Sequence, residues 1–381
     1  MEKQLNTSHL QEAASKHGLS QTAIAKALGL TKASVSKWFT GKSFPRPAEL
    51  LKLGRLLELS YDDLVQRSAT EDEPIVAFRR RGSCKTTAKH VAQAQDMGRL
   101  LKPLVKFLDV DEFMAPPSLK SPSCDYDYMQ GLVSQIRLEL NIGEHAKVDF
   151  GDLINLFHEH QAIIIPTMWG RKTKHENAIH IHLPESQTTW IYLNLDVEIH
   201  DFKFWMAHEL GHVLTIDLLR EKRIDEAEDF AECFAGALLF PESLAKEAYA
   251  EYAKAKTSKQ RLKCLGAWAE KHTISPNSVY HEIQHFAKAR GHDFDKLKQP
   301  ELWAYITNFN KQFQTLSEYL FDDKVPSADH FMRVAHENFG TEIYSALGQY
   351  MDEKDAGPGT LATILGVNSV DAKSYYSAFK G

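Results

Sequence analysis

The chain has no run of apolar residues approaching the roughly 18 that a membrane-spanning helix needs. Met1 to Gln4 show no apolar segment of the kind that opens a secretory signal. Cysteine is scarce. Cys84, Cys124, Cys233 and Cys264 are far apart in sequence and none stands in a C-x-x-C pair. That excludes a disulfide framework and a Cys-based zinc site, and predicts free thiols in a reducing, cytoplasmic setting. What is present is ordinary for a soluble protein. With 43% hydrophobic and 25% charged residues over 381 positions, the chain has material for two or three domains. The net charge of −6 is uneven: residues 1–66 carry 9 Lys/Arg against 6 Asp/Glu, a net +3 on an otherwise acidic chain. A basic head on an acidic body suits a head that meets phosphate.

The head reads as short helices. Ser20 is placed to cap a helix beginning at Gln21, with Ile24, Ala25 and Leu28 on its apolar side. Gly29 supplies a turn position, and Thr31 caps a second helix with Val35, Trp38 and Phe39 inward. Pro45 and Pro47 open a Leu-rich helix. Two short helices about a Gly turn have helix-turn-helix geometry. The stretch from Leu19 to Lys42, with the helix that follows, resembles the Xre/Cro-repressor family. That resemblance implies a double-stranded DNA operator. It implies base-edge or phosphate contacts from Thr31, Lys32, Ala33, Ser34 and Lys37, and a backbone contact from Gln21. A homodimer is expected because such domains read paired half-sites.

Residues 67–76 read as a polar, acidic hinge interrupted by Pro74. Between Arg79 and Lys89 stand five Lys/Arg and no acid. Arg79, Arg80, Arg81 and Lys85 are therefore a possible nucleic-acid patch, with single-stranded DNA as a possible trigger. A solvated surface is the alternative.

The chemistry is carried by His208-Glu209-Leu210-Gly211-His212, an H-E-x-x-H pattern. On a helix, residues four apart share a face, so His208 and His212 can hold one Zn²⁺. Glu209 is then placed to take a proton from a water that the ion activates. Two histidines leave a catalytic zinc one protein ligand short. Downstream, Glu228 and Glu232 share a helix face, so one can bind metal while the other steadies a ligand histidine. Residues 204–212, with Trp190 to Asn194 before them and Glu228, Ala231, Phe234, Ala235, Leu238, Leu239 and Pro241 after them, resemble the ImmA/IrrE family of bacterial metallopeptidases. The resemblance implies a zincin whose third ligand is a Glu six residues before the Phe-Ala pair, which falls on Glu228. At Glu232 the chain departs from the family's usual Asn, Asp or His, which keeps the exchange of the two glutamates open.

Strands are expected at residues 162–166, 177–182 and 189–194, either of the last two serving as an edge for an extended peptide. His180 and His182 share a strand face, either lining the cleft or structural. Tyr192 is a candidate to polarise a substrate carbonyl. The expected architecture is multidomain: an all-α helix-turn-helix head (1–66), a linker and basic helical segment (67–124), an α+β zincin-like, Glu-third-ligand metallopeptidase core with a small sheet (125–288), and an α-helical C-terminal region (289–381). Within that last region, residues 361–376 repeat the apolar spacing of the head, as a further helix-turn-helix-like unit or a helical cap. The family resemblance implies cleavage of a repressor, either this chain or a partner, in a stress, DNA-damage or mobile-element response. The alternative is a repressor-antitoxin, paired with a cognate toxin, whose zinc site is structural or inactive.

Overall fold

The computed structural model describes residues 4–57, 59, 64–66, 73–77, 88–108, 118–170, 178–322 and 324–380. They fall into two compact units, Met1–Glu73 and Pro74–Gly381.

The first unit holds α1 (Thr7–Lys16), α2 (Gln21–Leu28), α3 (Lys32–Phe39) and α4 (Pro47–Leu57). The Ser20 hydroxyl accepts from the Ala23 N–H, and Thr31 accepts from the Ser34 N–H at 3.2 Å. Each cap satisfies an amide that the first helical turn leaves unpaired. Gly29 ends α2 at φ +70°, which a side chain would resist. Ile24, Val35, Trp38 and Leu53 fill the core between the helices. A short ladder of β1 (Gln4–Leu5) and β2 (Val65–Gln66) joins the two ends of the unit.

The second unit is built on a four-stranded sheet of β3 (Ile75–Ala77), β4 (Ala162–Thr167), β5 (Ala178–Leu183) and β6 (Thr188–Asn194). Their spatial order is β3-β5-β6-β4. β4 runs parallel to β6, while β5 is antiparallel to both β6 and β3. Around the sheet lie α5 (Ala88–Leu101), α6 (Tyr126–Glu139), α7 (Phe150–Glu159), α8 (Ile199–Leu214), α9 (Ile216–Arg220), α10 (Ile224–Leu239), α11 (Glu242–Lys254), α12 (Ser258–His272) and α13 (Pro276–Ala289). Six further helices follow: α14 (Gln299–Asn310), α15 (Leu316–Phe321), α16 (Ala328–Phe339), α17 (Ile343–Lys354), α18 (Pro358–Leu365) and α19 (Ser369–Lys380).

β6 is buried at every position, so it reads as an apolar run in place of an alternation. One continuous core reaches from Ala94 on α5 to Tyr375 on α19. The division expected between residues 288 and 289 falls inside it. Tyr192 on β6 donates to the Ile364 carbonyl at 2.7 Å, and the Trp169 indole donates to the Leu365 carbonyl at 2.9 Å. The pair α18 and α19, with Gly366 at φ +64° between them, thus caps the sheet from within the same core.

Two expectations are corrected. Ile75 and Val76, placed in the hinge by their Pro-containing acidic context, are strand residues paired with β5. Tyr192 is fully buried and spends its hydroxyl on a structural hydrogen bond, so it is not placed to meet a substrate. The basic positions Arg79, Arg80, Arg81 and Lys85 lie outside the described residues.

Candidate metal centre

α8 is buried along nearly its whole length, and it carries the H-E-x-x-H residues. His208 and His212 project from one face, their rings 4.8 Å apart between centroids. The third group arrives because α10 packs unusually close. At Gly211 a Cβ would stand 2.6 Å from the Ala231 Cα, a separation that no alanine tolerates without moving a helix. Glu228 lies one helical turn before Ala231, so this contact brings its carboxylate to the histidines.

One ligand atom from each of His208, His212 and Glu228 lies within 4.8 Å of the other two. His208 Nε2 is 3.6 Å from Glu228 Oε2, and His212 Nε2 is 3.4 Å from Glu228 Oε1. These separations are long for hydrogen bonds. They are close to the roughly 3.3 Å between ligands of a tetrahedral ion with bonds of about 2.0–2.1 Å. Both nitrogens of both histidines and Glu228 Oε1 are buried without a hydrogen-bond partner, an arrangement costly to maintain unless something binds them. The donor set therefore fits a zinc ion. Burial pushes the Glu228 carboxyl up, but the adjacent imidazoles of His208 and His212 override it and hold the group at about 2. The carboxylate is the form that binds metal.

Glu232 occupies a different position. Its Oε2 is 3.6 Å from His208 Nδ1, the nitrogen turned away from Glu228. It stands on that side of the ring without a hydrogen bond to it, the side from which an outer carboxylate acts on a ligand histidine when it does bond.

Glu209 faces β5. Its Oε2 lies 3.8 Å from His180 Nδ1, and both residues are at most 1% exposed. Burial, and then the neighbouring His212, push the His180 pKa well below the usual histidine range, so His180 is neutral at pH 7. The pairing joins residues 29 apart in the sequence, and the alternation along β5 was the only signal for it. His182, two residues on, is structural. Its Nε2 lies 2.9 Å from an Arg220 guanidinium nitrogen and its Nδ1 lies 3.1 Å from the Thr189 hydroxyl. Arg220 can only donate, so Nε2 accepts and Nδ1 carries the proton. Burial, followed by Arg220, holds His182 at about 3.

A cleft of about 1030 Å³ reaches His208 and Glu228 from the side of Trp205, Glu232, His281 and Trp303. Among the described residues that line it are five further carboxylates besides Glu228 and no Lys or Arg. In the head, Thr31, Lys32, Ala33 and Lys37 are exposed along the start and outer face of α3, while Gln21 and Ser34 are half-buried.

Two family models match the chain. One, described as helix-turn-helix, covers residues 10–64. The other, a peptidase family described as the IrrE N-terminal-like domain, covers residues 161–293. The chain joins a helix-turn-helix domain to an IrrE-like domain. No curated protein matches it. The IrrE-like match takes in β4 to β6, α8, α10 and the residues His208, Glu209, His212, Glu228 and Glu232. It leaves out β3, α5, α6 and α7 on one side and the six C-terminal helices on the other. Among the described residues no helix is long and apolar enough to cross a membrane.

Proposed function

We propose that this protein is a DNA-binding regulator whose IrrE-like domain is a zinc-dependent endopeptidase that cleaves a repressor, either its own chain or a partner. The observation that carries this reading is the gathering of His208, His212 and Glu228 at ligand-to-ligand spacing, with Glu209 next to the first of them. His208, His212 and Glu228 would hold a zinc ion, which would supply a water acidified to a pKa of about 7 and a Lewis acid for a carbonyl oxygen. Glu209 takes the proton from the attacking water and delivers it to the leaving amine. His180, neutral and beside Glu209, steadies that carboxylate. Glu232 fixes the ring of His208. The exposed face of α3, with Thr31, Lys32, Ala33, Ser34 and Lys37, lies along the DNA major groove with Gln21 on the backbone, and a homodimer reads two half-sites. Arg79, Arg80, Arg81 and Lys85 supply a contact for single-stranded DNA as the trigger. The setting is a cytoplasmic stress response.

Zinc competition titration of the full chain tests the centre. Wild-type protein is expected to bind one equivalent. Glu228→Gln is expected to weaken binding more than about 100-fold, and Glu232→Gln by about 10–100-fold, the range for an outer partner. Failure of the wild type to bind zinc, or equal losses in the two variants, would contradict the assignment.

A further inference from the structure

The IrrE-like match begins at residue 161, and within it β5 is an outer strand, paired with β6 on one side only. The free side of such a strand offers unpaired N–H and C=O groups, and it is where an extended peptide adds. In this chain that side is taken. Ile75–Ala77, from ahead of the matched region, pairs antiparallel with β5, setting Ile75 opposite His182, Val76 opposite Ile181 and Ala77 opposite His180.

The register brings β3 to the chemistry. Ala77 stands opposite the residue whose imidazole lies 3.8 Å from Glu209. Ile75 and Ala77 pack with Ile216, Leu218 and Leu219, and with Ala227, the residue before Glu228. β3 therefore pairs with β5 and packs against α9, the short helix just ahead of the one that carries Glu228. Glu209, His180 and His212 are at most 1% exposed. The 1030 Å³ cleft reaches His208 and Glu228, yet Glu209 and His180 are not among its described lining residues. The fold makes room for this segment: at Gly98 on α5, a Cβ would stand 2.5 Å from the Pro74 Cβ.

We infer that residues 74–77 hold the place of the peptide substrate on β5, as a built-in strand that an external peptide must displace to reach Glu209. The inference rests on the peptidase reading for what the edge is used for. Three residues of ladder make a marginal strand, so displacement is within reach of a longer peptide.

The test is capture of a fluorescein-labelled peptide of residues 71–78 by the full chain, read by fluorescence anisotropy in a Glu209→Gln background. Ala77→Asp puts a charge into the apolar contact of β3 and expels the strand. It is expected to bind the peptide at least tenfold tighter than the chain that keeps Ala77. Equal binding by the two, or binding by neither, overturns the inference. If Ala77→Asp does not fold, Ile75→Gly loosens the same strand without a charge and is expected to shift binding in the same direction. Restoring Glu209 separates the two readings. Peptide captured but never cut leaves the strand displacement standing and sinks the peptidase. Peptide cut with no gain in capture from Ala77→Asp does the reverse.

Discussion

His208 lies between two glutamates. Its Nε2 faces Glu228 and its Nδ1 faces Glu232, so two glutamates four residues apart on one helix meet different nitrogens of the same ring. Helical periodicity alone did not rank them, because residues four apart share a face and the partner ring lies on another helix; the family resemblance favoured Glu228 as the ligand. The buried histidines set a pH dependence. His182 is held at about 3 in the folded chain and titrates near 6.5 when unfolded. Below pH 6.5 the unfolded state therefore binds the extra proton. The stability is full above that pH and is lost as pH falls toward 3, by up to about 1.4 kcal/mol per pH unit for this residue. His200 and His272, each held at about 4 mainly by burial, act with the same sign. Urea denaturation of chelator-treated protein should give a lower midpoint at pH 5.0 than at pH 7.5, and His182→Gln should narrow the gap. Equal midpoints would mean that these imidazoles are not buried neutral.

At the scale of elements, the centre depends on how closely α8 and α10 approach. Gly211→Ala sets a Cβ against a backbone atom of Ala231, which cannot rotate aside. The helices must part, at a cost of about 1–3 kcal/mol, and Glu228 moves with α10. Zinc affinity and urea stability should fall together in Gly211→Ala. Gly131→Ala on α6, where nothing lies within 4 Å of the added carbon, should lower neither. Unchanged zinc affinity in Gly211→Ala would show that the approach does not position Glu228. Local signals made most elements legible. Ser20 and Thr31 cap their helices as side chains of that type do, and Gly29 takes the left-handed turn. β3 was not legible, because it is three residues long, follows a proline, and finds its partner about a hundred residues later. β1 and β2 were hidden for the same reason, each being two residues long and paired across the whole head. Tyr192 misled because a buried hydroxyl and a catalytic one look alike until the Ile364 carbonyl is seen beside it.

At the scale of the whole molecule, a helix-turn-helix unit and a peptidase-like unit share one chain, and the segment between them supplies a strand to the second. The C-terminal helices sit on the sheet through the Tyr192 and Trp169 hydrogen bonds, so the IrrE-like region is held on both flanks by parts that its family match does not include. Such a chain joins a DNA-binding type of domain to a peptidase-like one, and the function proposed for it is the Glu209-dependent cutting of a repressor. The most direct measurement is a proteome-wide comparison of protein N-termini in the native host, with wild-type protein and with Glu209→Gln, before and after DNA damage. The account predicts at least one new terminus within a helix-turn-helix protein, this chain or another, that appears only when Glu209 is intact. Identical termini in the two strains would contradict it.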